Sequence, residues 1–232
     1  MIRSTALLLC LVCAPAYAQT AAKPGPWKAL FDGKSLDAWR IYKSDAAPKL
    51  CEPPTTTGCW QIKDGVLTKD GNANDMITKD EFGDFELELE WRIGEAGNSG
   101  LFYRGTEEYN AIYWSAPEYQ LLDNLKAADN KRPDHLAGSM YEFSSPPPDA
   151  VKPVGEWNLT RIVAKGNHIE HWLNGIKTAE FEVGSPAWEA KLAASKFKAY
   201  PNFAKAKRGH FGVQGNHPGE LSLRNIRVRE LQ

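Results

Sequence analysis

Residues 85–93 read Phe-Glu-Leu-Glu-Leu-Glu-Trp-Arg-Ile, apolar and charged side chains in strict alternation. A period of two fits a strand with one face in a core and the other in water, and no helix can accommodate it. Shorter runs of the same kind follow at 101–104, 119–122, 157–164, 168–173, 176–181, 211–214 and 221–231. Asn174-Gly175 lies between two of them and predicts a tight hairpin turn. With 19 Gly, 15 Pro and no long helical period, the chain is expected to be all-β, an antiparallel β-sandwich or jelly roll. One short surface helix is expected over 188–195, and the Pro-rich stretch 144–153 reads as a rigid loop.

The N-terminus has a different grammar. Arg3, an apolar run from Ala6 to Ala14 and the small residues Ala16 and Ala18 before Gln19 form a secretory signal, with cleavage expected after Ala18. The run is far shorter than the roughly 20 residues that a membrane span needs. Residues 1–18 are therefore assigned to the signal, 19–26 to a short exported tail and 27–232 to a single domain. Removing the signal leaves 27 basic and 29 acidic side chains. So even a balance gives no electrostatic case for nucleic acid or an anionic membrane, and no integral membrane segment is expected after the signal. Oligomeric state is open.

Of four cysteines, Cys10 and Cys13 leave with the signal, and the remaining pair, Cys51 and Cys59, reads as one disulfide in an oxidising compartment. Seven intervening residues match neither a redox CxxC nor a zinc ligand set.

Polar and aromatic side chains turned away from the core of a sandwich are candidates for ligand contact. Sugars suit such a face, offering hydroxyls to polar groups and C–H patches to rings. In Asn98-Ser99-Gly100-Leu101-Phe102-Tyr103-Arg104, a Gly-rich turn feeds a strand from which Asn98 and Arg104 are expected to reach a ligand. Glu118 and Gln120 share one face of the next strand, Tyr119 and Leu121 the other, with Tyr113 and Trp114 flanking. His168 and His171, three apart in a strand, face opposite sides and cannot jointly bind a metal as helical histidines do. His171 is a candidate proton shuttle or hydroxyl partner, or else a structural histidine beside Trp172. Gln214 and His217 close the list at the end of a late strand. No serine nucleophile elbow, phosphate loop, dinucleotide fingerprint or zinc-protease helix is present.

Taken in order, Phe31-Asp32-Gly33-Lys34-Ser35-Leu36, residues 85–91 and 97–104, Glu118-Tyr119-Gln120-Leu121-Leu122-Asp123, Ala137-Gly138-Ser139-Met140-Tyr141-Glu142, Gly155-Glu156-Trp157-Asn158, His171-Trp172-Leu173-Asn174-Gly175, residues 209–214 and 224–229 resemble the bacterial 3-keto-disaccharide hydrolase domain family. The resemblance runs from about residue 27 to the C-terminus. It implies a concanavalin A-like (laminin-G-like) sandwich, a periplasmic or secreted location, and cleavage of glycosides already oxidised at C3. A C3 ketone acidifies the C2 proton, so a base can remove it and the C1 leaving group can depart, with water adding afterwards. Such chemistry calls for a base, an oxyanion stabiliser and sugar-positioning groups. On this reading Glu118 is the base, Arg104 or His171 stabilises the enolate, and Asn98, Gln120, Tyr141, Gln214 and His217 position the sugar. No cofactor is expected; a divalent metal as stabiliser is compatible with the chemistry, but no ligand spacing argues for one. The competing reading is a carbohydrate-binding module that holds glycans without cutting them.

Overall fold

The computed structural model describes residues 24–51 and 58–232. The expected signal, most of the exported tail and the interior of the Cys51–Cys59 loop lie outside the described residues. Thirteen strands are present among those described: β1 (Lys28–Ala29), β2 (Trp39–Ile41), β3 (Trp60–Lys63), β4 (Val66–Lys69), β5 (Met76–Thr78), β6 (Phe85–Ile93), β7 (Asn98–Gly105), β8 (Glu118–Leu122), β9 (Asn158–Lys165), β10 (His168–Leu173), β11 (Ile176–Glu182), β12 (His210–Val213) and β13 (Leu221–Glu230). They form two sheets. The larger runs β11-β10-β9-β6-β13-β4-β3, with β1 also on β13, and the smaller runs β2-β5-β12-β7-β8. The paired strands are antiparallel throughout, so the fold is the expected antiparallel sandwich.

Strand β6 occupies the middle of the large sheet, where its alternation has most effect. Phe85, Leu87, Leu89, Trp91 and Ile93 all point inward and are buried, each contributing about 1.5–3 kcal/mol by leaving water. Opposite them, β7, β8 and β12 send in Leu101, Tyr103, Tyr119, Leu121, Phe211 and Val213. Strand β13 needs a correction to its alternation to join this core. Leu221 and Leu223 are odd-numbered, Ile226 and Val228 even, yet all four are buried. A bulge between Arg224 and Arg227, with Asn225 in the left-handed region at φ 54°, inserts the extra residue that turns both pairs inward.

The expected hairpin at Asn174-Gly175 joins β10 to β11, both turn residues having positive φ. Cys51 and Cys59 form the expected disulfide, with Cα atoms 5.6 Å apart. The short helix is also present as α1 (Pro186–Ala194), capped by the Ser185 side chain, which accepts from the Trp188 amide. Trp188 packs with Phe143, Phe197 and Phe203 in a small second core beside the sandwich. That satellite core presses the 138–144 segment and a 3-10 turn at Lys196–Ala199 toward the edge of the small sheet, forming one wall of the site described next.

Candidate active site

Strand β8 is the edge of the small sheet, and its free side is covered by residues 138–141. Gly138 N donates to Gln120 O (2.9 Å), Gln120 N to Ser139 O (3.2 Å) and Tyr141 N to Glu118 O (3.1 Å). With Tyr119 and Leu121 in the core, Glu118 and Gln120 face outward together, as the alternation requires. They do not face open water. Loops 106–117, 123–135 and 196–200 rise around them and enclose a hollow of about 340 Å³ lined by Asn98, Tyr113, Trp114, Glu118, Gln120, Asp129, Tyr141, Lys196, Gln214, Asn216 and His217. This is near the lower end of ordinary small-ligand pockets, about 300–1,000 Å³.

Glu118 forms the floor. Its carboxyl leans across Gly100 on the neighbouring strand so closely that a Cβ there would overlap it, which explains why that strand position carries glycine. Burial pushes the Glu118 carboxyl up to about 8; Lys196 pulls it down, while Asp129 and more distant carboxylates push it further up. Among the described residues no Lys or Arg pairs with it. Oriented to satisfy its neighbours, the Gln120 amide donates to Glu118 Oε1 (3.2 Å) and Ser99 O (3.0 Å); turned over, it reaches Asn98 Oδ1 at 3.4 Å.

Gln214 follows β12 and its backbone N–H donates to Gly100 O (2.9 Å). Its buried Oε1 has no partner among the described residues, an acceptor held at the cost of its own desolvation. Asn216 and His217 ride on the next loop, which is clamped from beneath. Asp75 accepts from Gly215 N (2.8 Å) and Asn216 N (3.1 Å), and the buried Lys69 ammonium donates to His217 O. Burial lowers Lys69 to about 8, with Asp70 and Asp75 acting in the opposite sense. Burial also lowers His217, helped by Lys69, so its ring favours the neutral form.

The far wall is aromatic. Trp114 stacks on Tyr200, ring centres 4.0 Å apart, and Tyr113 tilts against Trp114 at 4.5 Å. Opposite, Tyr141 donates its hydroxyl to Asp129 Oδ2 (2.9 Å), and His135 Nδ1 lies 2.9 Å from Asp129 Oδ1. Lys196 Nζ sits 4.3 Å from the centre of the Tyr141 ring.

Six of the eight expected site residues thus meet: Glu118, Asn98, Gln120, Tyr141, Gln214 and His217. Arg104 and His171 do not, and their expected part in the enolate chemistry is corrected. Arg104 is six residues along β7 from Asn98, roughly 20 Å at strand rise. Its backbone has positive φ (52°) at a bulge, which at that far end of the sandwich turns the side chain toward the large sheet. There it donates to Gly83 O (2.9 Å) and Gly166 O (2.7 Å) and pairs with Asp84 (3.0 Å), fastening the two sheets. His171 shares the inward face of β10 with Ile169 and Leu173 and is fully buried; its Nε2 meets the Tyr103 hydroxyl at 2.8 Å. Burial holds it down to about 3, so it is a neutral core residue. His168 does face the opposite way, as expected. It lies on the outer side of the large sheet near Glu170 and Glu180, both of which accept from Lys177 Nζ (2.8 and 2.9 Å).

Sequence reasoning missed Asp129, Lys196 and Asn216. Lys196 comes from a turn placed by the satellite core, Asn216 from the loop on the Asp75 clamp and Asp129 from the locally bonded 123–135 loop, and no strand period announces them.

The sequence matches the family described as "3-keto-alpha-glucoside-1,2-lyase-like domain" over residues 26–229. A curated relative from Bacteroides thetaiotaomicron, named 3-keto-disaccharide hydrolase, is 32% identical over 234 residues, covering 87% of this chain and 77% of its own. A solved structure from Parabacteroides distasonis, provisionally named a glycosyl hydrolase, superposes with a TM-score of 0.78 at 28% identity, covering 90% of this chain and 94% of that one. A Bacillus subtilis protein with a galectin-like fold superposes with a TM-score of 0.54 at 13% identity, covering 91% of this chain and 96% of that one. At that identity the likeness concerns the sandwich alone.

Proposed function

Because the chain belongs to the 3-keto-alpha-glucoside-1,2-lyase-like family, we propose that it cleaves glycosides oxidised at C3 and that the Glu118 carboxylate removes the proton at C2. The observation that carries this reading is a carboxyl buried on the floor of a sugar-sized polar hollow, with no cation bonded to it among the described residues and pushed up to about 8. A paired surface glutamate is a feeble base. One held near neutrality by desolvation can both take a carbon-bound proton and give it back.

The bonds change as follows. As Glu118 takes the C2 proton, the C–H electron pair becomes the enolate of the C3 ketone. The enolate then re-forms the ketone while the C1–O bond breaks. The bonding pair leaves on the aglycone oxygen, which takes a proton, and a C1=C2 double bond remains conjugated with the C3 carbonyl. Water adds across that bond, hydroxyl to C1 and hydrogen to C2, returning a free 3-keto sugar. An unoxidised glycoside has no carbonyl to accept the charge, so its C2 proton stays in place.

Lys196 supplies positive charge for the enolate, and the amides of Asn98, Gln120 and Gln214 meet hydroxyls around the ring. Tyr113 and Trp114 offer flat surfaces to the C–H faces of the sugar or its aglycone. The Cys51–Cys59 disulfide supports placing the protein in the periplasm or outside the cell, where such bonds persist.

The test is to incubate the purified protein with a 3-keto-glucoside and with its unoxidised parent. Release of aglycone from the keto form alone is expected, and Glu118→Gln is expected to lower turnover by about 10²–10⁴-fold with binding retained. Cleavage of the parent, or full activity in the variant, overturns the reading. Binding of the parent without turnover of either sugar would identify a binding module.

A further inference from the structure

We infer that Asp129 is a second catalytic carboxylate, held by His135 and Tyr141, which gives a proton to the leaving-group oxygen and afterwards takes one from the incoming water. The inference rests on the C3-keto reading above and adds the partner that Glu118 lacks.

Two features of the structure single out Asp129. It lines the same hollow as Glu118, and each of its oxygens is held by a different donor: His135 Nδ1 on Oδ1 and the Tyr141 hydroxyl on Oδ2, both at 2.9 Å. The two donors are themselves locked, with the His135 and Tyr141 rings stacked 4.2 Å apart and 23° from parallel. His135 Nε2 is buried and has no partner among the described residues, so the ring's one polar contact is the bond that orients Asp129. Carboxylate oxygens have about four acceptor sites in all, so two donors leave capacity on the side facing the hollow. A solvated loop carboxylate needs no such scaffold; a carboxylate whose angle matters does.

The reaction also requires a second group. Elimination removes a proton at C2 and adds one to the oxygen on C1, and in an α-glucoside these stand on opposite faces of the ring, so that one carboxyl does not serve both. Assigning the first transfer to Glu118 and the second to Asp129 closes the cycle. During elimination Glu118 gains a proton and Asp129 loses one. During hydration Asp129 takes a proton from water as its hydroxyl bonds to C1, and Glu118 returns its proton to C2. Each carboxyl ends as it began, and no oxidant, reductant or further base is used. Lys196, lying 3.8 Å from Glu142 and 4.3 Å from the centre of the Tyr141 ring, is left to its charge role at the enolate. Tyr141, expected from the sequence to touch the sugar, becomes a positioning residue whose hydroxyl proton is directed at Asp129.

Asp129→Asn tests this with two substrates that share a 3-keto-glucosyl unit, one leaving as methanol and one as 4-nitrophenol. Methanol must be protonated as it departs; 4-nitrophenolate need not be. The expected result is a loss of about 10²–10³-fold in kcat/KM for the methyl glycoside and less than about 5-fold for the nitrophenyl one. In heavy water the variant should still exchange the C2 hydrogen of uncleaved methyl 3-keto-glucoside, an exchange that Glu118→Gln abolishes. Equal losses on both substrates, or none on the methyl glycoside, overturn the inference while leaving the C3-keto reading intact. If the wild-type protein cleaves neither substrate, that reading itself fails. Should Asp129→Asn not fold, Tyr141→Phe carries the same test. It frees one Asp129 oxygen, with an expected loss of about 10-fold confined to the methyl glycoside.

Discussion

The two outer faces of the sandwich carry glutamates placed by the same rule and put to opposite uses. On the large sheet Glu86, Glu88 and Glu90 alternate with the core residues of β6, and each meets arginine. Glu86 lies between Arg161 and Arg229, Glu88 accepts from Arg227, and Glu90 from Arg224 and Asn225. Trp27, Trp157 and Trp172 lie against these guanidinium groups. For Glu86 and Glu90 burial acts to raise the pKa, but the arginine bonds at Glu86 and the Asn225 and Arg224 bonds at Glu90 outweigh it, and both carboxyls fall below their ordinary value. On the small sheet Glu118 is also outward and also buried, with no arginine near enough to pair among the described residues, and it rises to about 8. Alternation decides which side of a sheet a carboxylate takes. Whether it becomes a strut or a reagent depends on the company it finds there.

The sharpest way to break this contrast is to displace Glu118 without touching its charge. Gly100→Ala puts a methyl group where the carboxylate now lies, and a shift of about 1 Å is enough to cost roughly 10²-fold in turnover. Melting temperature should fall only slightly, because the strand pairing of β7 with β8 is unaffected. Wild-type kinetics in this variant would mean that the carboxyl's position on the floor is unimportant.

Stability against pH separates the two kinds of glutamate by sign. Glu118 holds its proton more tightly when folded than unfolded, so its contribution turns against the fold as pH rises from its ordinary 4.5 to about 8. Glu118→Gln should therefore gain on wild type across that window, by up to a few kcal/mol, and then level off. Glu86 has the opposite linkage. Its pairs favour the fold at neutral pH and lose that effect as pH falls below about 4.5. Glu86→Gln should be destabilised at pH 7, with the difference shrinking in acid. Parallel curves in a denaturant series at pH 4 to 9 would erase the distinction.

The sandwich was legible because its signals are local. The period-two run of β6, the Asn174-Gly175 turn and the facing of Glu118 with Gln120 all follow from residues adjacent in sequence. His171 was misassigned to the site although the same rule places it, since Ile169 and Leu173 flank it at i ± 2 and mark its face as the core. Arg104 was not legible: a single positive φ reverses the side to which alternation assigns it. Asp129 and Lys196 were invisible for another reason. Lys196 sits in a turn held by the Phe143, Trp188, Phe197 and Phe203 cluster, where contacts between residues some 50 apart leave no periodic trace. Asp129 sits in a loop fixed by aperiodic side-chain bonds, Asp123 accepting from the Leu125 and Lys126 amides and Asn130 donating to Asn124 O and Leu125 O.

The smallest expected effect is the one that tests whether the faces are independent. Arg227 bonds Glu88 through Nε (3.0 Å) and Nη2 (2.6 Å) while its guanidinium covers Trp27 at 4.5 Å, and its side chain is about half exposed. An ion pair so open to water contributes at most about 1 kcal/mol, and the stacked tryptophan adds about 0.5–1 kcal/mol. Arg229, lying 4.7 Å from the same ring, can retain part of the second contribution. Arg227→Ala is therefore expected to lower stability by about 1 kcal/mol, to lose most of that difference in high salt, and to leave kcat/KM unchanged. The last expectation carries the weight. Glu88 projects from one side of the core and Glu118 from the other, separated by side chains packed to crystalline density, so a charge change on the first face reaches the second only as a screened, distant field. A kinetic effect of tenfold or more would show that the arginine lattice helps to shape the hollow.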